Sequence, residues 1–160
     1  MESVKISVVK TVIPTYPEPA AEELPMFAEN RVHQRTCGNP YPNKVVLAVN
    51  RREKLDKDYD VVVLENEYLK IEILPEIGGR IYSALDKTTG YDFFYKQHVI
   101  KPALIGALGS WISGGVEFNW PFHHRASGFM PCDYMTETLP DGSAVCRLSE
   151  YDPTDGMKGM

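Results

Sequence analysis

The sequence is poor in the features that would assign a function at a glance. Its three cysteines, Cys37, Cys132 and Cys146, are widely spaced and form no CxxC pair, so neither a disulfide framework nor a zinc knuckle is indicated. Reduced thiols in a cytoplasmic protein are the plain reading. Positive charge is also scarce: 17 Lys and Arg stand against 22 Asp and Glu, for a net charge of −5. Such a chain exerts no overall pull on phosphate, which argues against nucleic acid as a partner. Long apolar runs are absent. The longest uncharged stretch, Pro102 to Val116, is broken by Gly106, Gly109, Gly114 and Gly115 and falls short of the roughly 20 apolar residues that a bilayer span needs. Met1 to Pro14 contains no continuous apolar segment of a secretion signal, so no membrane partner and a cytoplasmic location are expected. There is no GxGxxG, GxxxxGK[ST], HExxH, GxSxG or EF-hand loop, and hence no expectation of a nucleotide cofactor or a metal.

What remains is a soluble, globular composition, 43% hydrophobic and 24% charged over 160 residues, enough for one domain around a single core. Val4, Ile6 and Val8 alternate with Lys5 and Ser7, the period of a half-buried strand. Pro14, Pro17, Pro19 and Pro25 then forbid a long helix or a central strand. Residues 1–40 are therefore read as a strand followed by a proline-rich arm, and residues 41–160 as the main domain.

The main domain opens with an apolar run at Val45 to Val49 and continues as a meander. Tyr59 to Glu65 is Val-rich, Asn66 and Glu67 suit a tight turn, and Leu69, Ile71 and Ile73 alternate with polar neighbours. Pro75 ends that strand. Gly78 and Gly79 supply a corner into Arg80 to Leu85, and Thr89 and Gly90 turn the chain into Tyr91 to Tyr95. A second hairpin joins Tyr134 to Thr138 with Ala144 to Leu148 through Pro140-Asp141-Gly142. Helical periodicity is confined to Ala20 to Leu24 and Lys96 to Leu108. The expected fold is mainly β, an antiparallel β-sandwich or barrel. Because the chain stops just after a strand-like segment, the sandwich is expected to be incomplete.

Chemistry-bearing residues concentrate in one segment, Gly109 to Gly128, reading GSWISGGVEFNWPFHHRASG. Both tryptophans, Trp111 and Trp120, lie in it with Glu117, Phe118, Asn119, Phe122, His123, His124 and Arg125. Aromatic faces stack on the C–H faces of sugar rings, while carboxylates, amides and imidazoles bond the hydroxyls. Apolar walls with a few convergent polar groups are the general pattern of a small-ligand site. The alternative is an aromatic core with satisfied polar neighbours. Glu117, between Val116 and Phe118, is either a proton-transfer group tuned by burial or a carboxylate paired with Arg125 or Arg80 that braces a loop. Asn119 shares its strand face by period 2. His123 and His124 are adjacent and point to opposite sides of an extended chain, which disfavours joint metal ligation. Arg125 suits a fork onto a carboxylate or a substrate oxygen.

On these residues a resemblance can be stated. LKIEILPEIGGRIYSALDKTTGYDFFY, from Leu69 to Tyr95, resembles the opening strands of galactose-mutarotase-like proteins, whose fold is a β-supersandwich. WISGGVEFNWPFHHR and SEYDPTDGMKGM are similar to a narrower, uncharacterised bacterial family. In it a mutarotase-like domain precedes tetratricopeptide repeats and is described as a glycoside hydrolase. The resemblance covers about residues 40–160 and implies the N-terminal half of such a domain. It also implies a saccharide ligand. By the chemistry of their side chains, Trp111, Asn119, Trp120, Arg125 and Arg80 are the candidates to bind it, and Glu117, His123 and His124 the catalytic candidates. Aldose 1-epimerases use a His acid and a Glu base, the base coming from the later half of the domain, so the pair here is not equated with theirs. Phe122 stands where the resemblance implies a polar residue. Glycoside hydrolysis or anomer interconversion in the complete protein is one expectation, and a non-catalytic sugar-binding or scaffold domain, or an inactive fragment, is the other.

Overall fold

A computed structural model describes residues 3–17, 52–105, 109–118, 128, 130–152 and 157–159. The described chain is mainly β and antiparallel, as a β-sandwich requires. The principal sheet has the order β1 (Lys5–Thr15), β2 (Leu55–Glu65), β3 (Leu69–Leu74), β4 (Arg80–Asp86) and β5 (Tyr91–Asp92). A two-stranded ribbon pairs β6 (Pro102–Ile105) with β7 (Gly109–Ile112), and a further sheet has the order β10 (Met157–Gly159), β9 (Ala144–Asp152), β8 (Asp133–Thr138).

The valine-rich strand β2 forms the spine because both of its faces are covered. Tyr59, Val61 and Val63 point into a cluster with Ile13, Leu74, Ile77, Tyr82, Ile100 and Ile112, while Val62, fully buried, faces the other way. A buried phenol needs a partner for its hydroxyl. Tyr59 finds one in the Thr15 hydroxyl at 2.9 Å, and Tyr82 donates to the Gln97 carbonyl. Between β3 and β4 the register shifts at Glu72/Ile73, a bulge that leaves Tyr82 free to turn into the core. Glu72 is held by Lys70 at 2.8 Å and Lys96 at 2.6 Å. Burial would raise its pKa, but these lysines outweigh it and hold the carboxyl below its ordinary value.

Turn chemistry follows the sequence closely. The Asn66 side chain accepts from the Tyr68 and Leu69 amides, and Asp141 accepts from the Ser143 amide and hydroxyl. Gly78, Gly79, Gly90 and Gly142 all take positive φ. The Gly78–Gly79 corner also receives the second sheet: Gly78 N–H donates to the Met130 carbonyl, and a Cβ on Gly79 would stand 2.8 Å from Leu148 Cδ1. At the β4–β5 turn Asp86 accepts from the amides and hydroxyls of Thr88 and Thr89, which lowers its pKa from 3.8 to about 2. A depressed carboxyl contributes stability above its unfolded pKa and loses it as pH falls through the folded value. We expect Asp86→Asn to melt below the wild type at neutral pH, and the gap to close as pH falls from about 4 towards about 2. A gap in melting temperature that is constant over that range would contradict this.

Three expectations are corrected. The helical reading of Lys96 to Leu108 fails: Pro102–Ile105 is a strand paired with Gly109–Ile112, since Pro102 and the neighbouring glycines disfavour helix. The aromatic strand of Tyr91 to Tyr95 is only Tyr91–Asp92, after which Asp92 caps the chain by accepting from Phe94 N–H and Ser83 Oγ–H, and Tyr91, Phe93 and Tyr95 are exposed. The first strand runs through Pro14 to Thr15, where the arm was expected to begin, because Pro14 faces away from β2, its carbonyl accepting from Ile100 N–H, so the β1–β2 ladder loses no donor. Its buried residues are Ile13 and Thr15, whereas Val8 is exposed. Ala20 to Leu24, Val45 to Val49 and most of the proline-rich stretch lie outside the described residues.

Candidate functional site

The candidate site is built where β4 begins. The left-handed Gly78–Gly79 corner delivers Arg80 into the interior, where it is 2% exposed. Its Nη1 donates to the carbonyls of Ile112 at 2.6 Å and Gly114 at 2.8 Å, and its Nη2 reaches the Gly128 carbonyl at a longer 3.4 Å. Nε has no hydrogen-bond partner among the described residues. Burial lowers the Arg80 pKa, and the nearby Glu117 charge opposes that shift.

One residue further along, Ile81 and Val116 exchange backbone hydrogen bonds of 3.2 and 2.8 Å, so that the chain from Ser113 to Phe118 lies against β4. The approach is close. A Cβ on Gly115 would stand 2.1 Å from the Ile81 carbonyl oxygen, and its φ is +69°, so only glycine fits there without displacement. Gly115 N–H also donates to the Tyr95 carbonyl at 2.9 Å, and Gln97 Nε2 donates to Ser113 Oγ at 3.0 Å. Three connections thus fix the approach to Glu117.

Glu117 is half-buried, and its neighbour in sequence, Phe118, is 43% exposed. Its carboxylate reaches across to Gly128, where a Cβ would lie 2.9 Å from Oε1. Of the sequence-predicted residues, the structure brings together Arg80 and Glu117. Trp111 pairs with Ala103 through its backbone in the β6–β7 ribbon. Asn119, Trp120, His123, His124 and Arg125 lie outside the described residues. Arg80, expected among the ligand-binding residues, spends its hydrogen bonds on backbone carbonyls. Two further contributors are not singled out by the sequence as site residues. Phe118 stands there only as one of the aromatics of its segment, and Gly128 carries a signal only once Glu117 is known to lie against it. Among the described residues no group of three or more His, Cys, Asp or Glu could hold a metal ion, and no helix is long and apolar enough to cross a membrane.

Two comparisons with known proteins bear on this chain, one on its family and one on its fold. The sequence profile of the domain of unknown function DUF5107 matches residues 37–159. The fold superposes on the crystal structure of a TPR-domain containing protein from Parabacteroides distasonis ATCC 8503 with a TM-score of 0.76 at 21% identity. That match covers 94% of this chain and 24% of the other, so this chain spans about a quarter of that protein.

Proposed function

We propose that this chain, which belongs to the DUF5107 family, binds a hexose or oligosaccharide at the surface formed by Glu117 and Phe118. We also read its sheets as the N-terminal half of a galactose-mutarotase-like supersandwich, and its role in the complete protein as glycoside hydrolysis or anomer interconversion. The observation that carries the reading is the half-buried Glu117 carboxylate, which lies against Gly128 and near Arg80, followed in the chain by Phe118, which is exposed. An aromatic face covers the apolar side of a sugar ring, and a carboxylate accepts from its hydroxyls. Supporting it, Trp111, Asn119, Trp120, His123, His124 and Arg125 lie in the same segment, and all are side chains suited to stacking on or bonding a saccharide. If the reaction is hydrolytic, Glu117 serves as general acid, with a second carboxylate as its partner.

Titrating the chain with a panel of hexoses and oligosaccharides by calorimetry tests the binding. Phe118→Ala is expected to weaken the best ligand by about tenfold, the order of one lost aromatic contact of 1–2 kcal/mol. Equal affinity in wild type and variant would remove Phe118 from the site. No binding anywhere in the panel would remove the saccharide reading itself.

A further inference from the structure

We propose that Arg80 is a positioning residue, a single buried guanidinium that ties together the two flanks of the Glu117 site. The flanks are far apart in sequence: Ile112 and Gly114 lie on one side, and Gly128 on the other. Their carbonyls nevertheless converge on Nη1 and Nη2 of one side chain. A planar guanidinium presents donors in a rigid fork, so it holds several carbonyls at fixed mutual positions. The Glu117 carboxylate lies against the far flank at Gly128 and near enough to Arg80 to favour the arginine's charge. Arg80 itself is almost wholly shielded from solvent. It therefore acts on a ligand through the geometry it imposes on Glu117 and Phe118. The tether stands on hydrogen bonds alone; only its consequence for ligand affinity rests on the functional reading above.

Arg80→Lys tests this directly, because lysine keeps the positive charge but replaces the fork with one compact ammonium. The protein's two tryptophans, Trp111 and Trp120, stand beside the tethered flanks in sequence and report on them without a label. In the full chain, Arg80→Lys is expected to raise acrylamide quenching of tryptophan fluorescence by about twofold, as a locally loosened segment does. It is also expected to weaken saccharide binding by about tenfold or more. Tyr59→Phe, which removes the core hydrogen bond to Thr15, is the control. It should lower the melting temperature and leave quenching at the wild-type level, which separates local tethering from general destabilisation.

A folded Arg80→Lys protein with wild-type quenching would overturn the proposal. If that variant shows no cooperative melt, the guanidinium resonances of Arg80 in the wild type decide instead: Nη protons held by carbonyls exchange slowly with solvent, and fast exchange with free rotation of the guanidinium would overturn the proposal. Failure of the wild type to bind any saccharide would sink the functional reading, and the quenching comparison would still decide the tether.

Discussion

Gly115→Ala is expected to destabilise the protein by about 3–5 kcal/mol, at the severe end for a single substitution. Two costs combine. A left-handed backbone at φ +69° penalises any side chain by about 1–2 kcal/mol. The larger cost is steric: the new Cβ would lie 2.1 Å from the Ile81 carbonyl oxygen and 3.2 Å from Tyr82 Cα, both in the backbone of β4. Neither can rotate away, so the Ile81–Val116 bridge must open, and with it the two hydrogen bonds that seat Glu117. For a chain of this length the melting temperature should fall by about 10 °C. Gly90→Ala provides the internal comparison. Its φ of +74° is similar, but nothing stands within 4 Å of the new Cβ, so only the conformational cost of about 1 kcal/mol remains. Equal losses at the two glycines would show that the contact with β4 contributes nothing.

Glu117→Gln should have the largest effect on activity. Glutamine keeps the size and hydrogen-bonding reach of the side chain but cannot give up or take a proton. In the complete protein, a general acid at this position predicts a loss of turnover of about 10²–10⁴-fold, with saccharide affinity changed far less. Parallel loss of binding and turnover would assign Glu117 to ligand recognition. Unchanged turnover in an active protein would exclude it as the acid and favour the non-catalytic reading of the domain.

The strands and turns were legible because each is written locally. Val61 to Val63 carry β propensity, Asn66 and Asp141 build their own turns, and the Gly78–Gly79 pair marks a corner. Arg80 shows what was not legible. Sequence offered it as a ligand-binding side chain, but its three carbonyl partners lie 32, 34 and 48 residues away, and no local pattern encodes such a convergence. The extension of β1 through Pro14 escaped for a related reason: proline is excluded from a strand only where its missing N–H is needed, and the sequence does not reveal that Pro14 faces away from β2. The Lys96 to Leu108 stretch misled because apolar residues near a weak helical period also fit a short paired ribbon. In the candidate site, Glu117 stood out by its apolar neighbours, whereas the demand on Gly115 became visible only when β4 was placed against it.

The central claim, that a saccharide is bound against Glu117 and Phe118, is tested most directly by following backbone amide resonances while the best-binding saccharide is added. The account predicts that the largest shifts fall on Ser113 to Phe118 and on Gly128, with smaller changes at Arg80 and Ile81. Shifts concentrated elsewhere, on the exposed aromatics Tyr91 and Phe93 or on the outer strand β8, would contradict it.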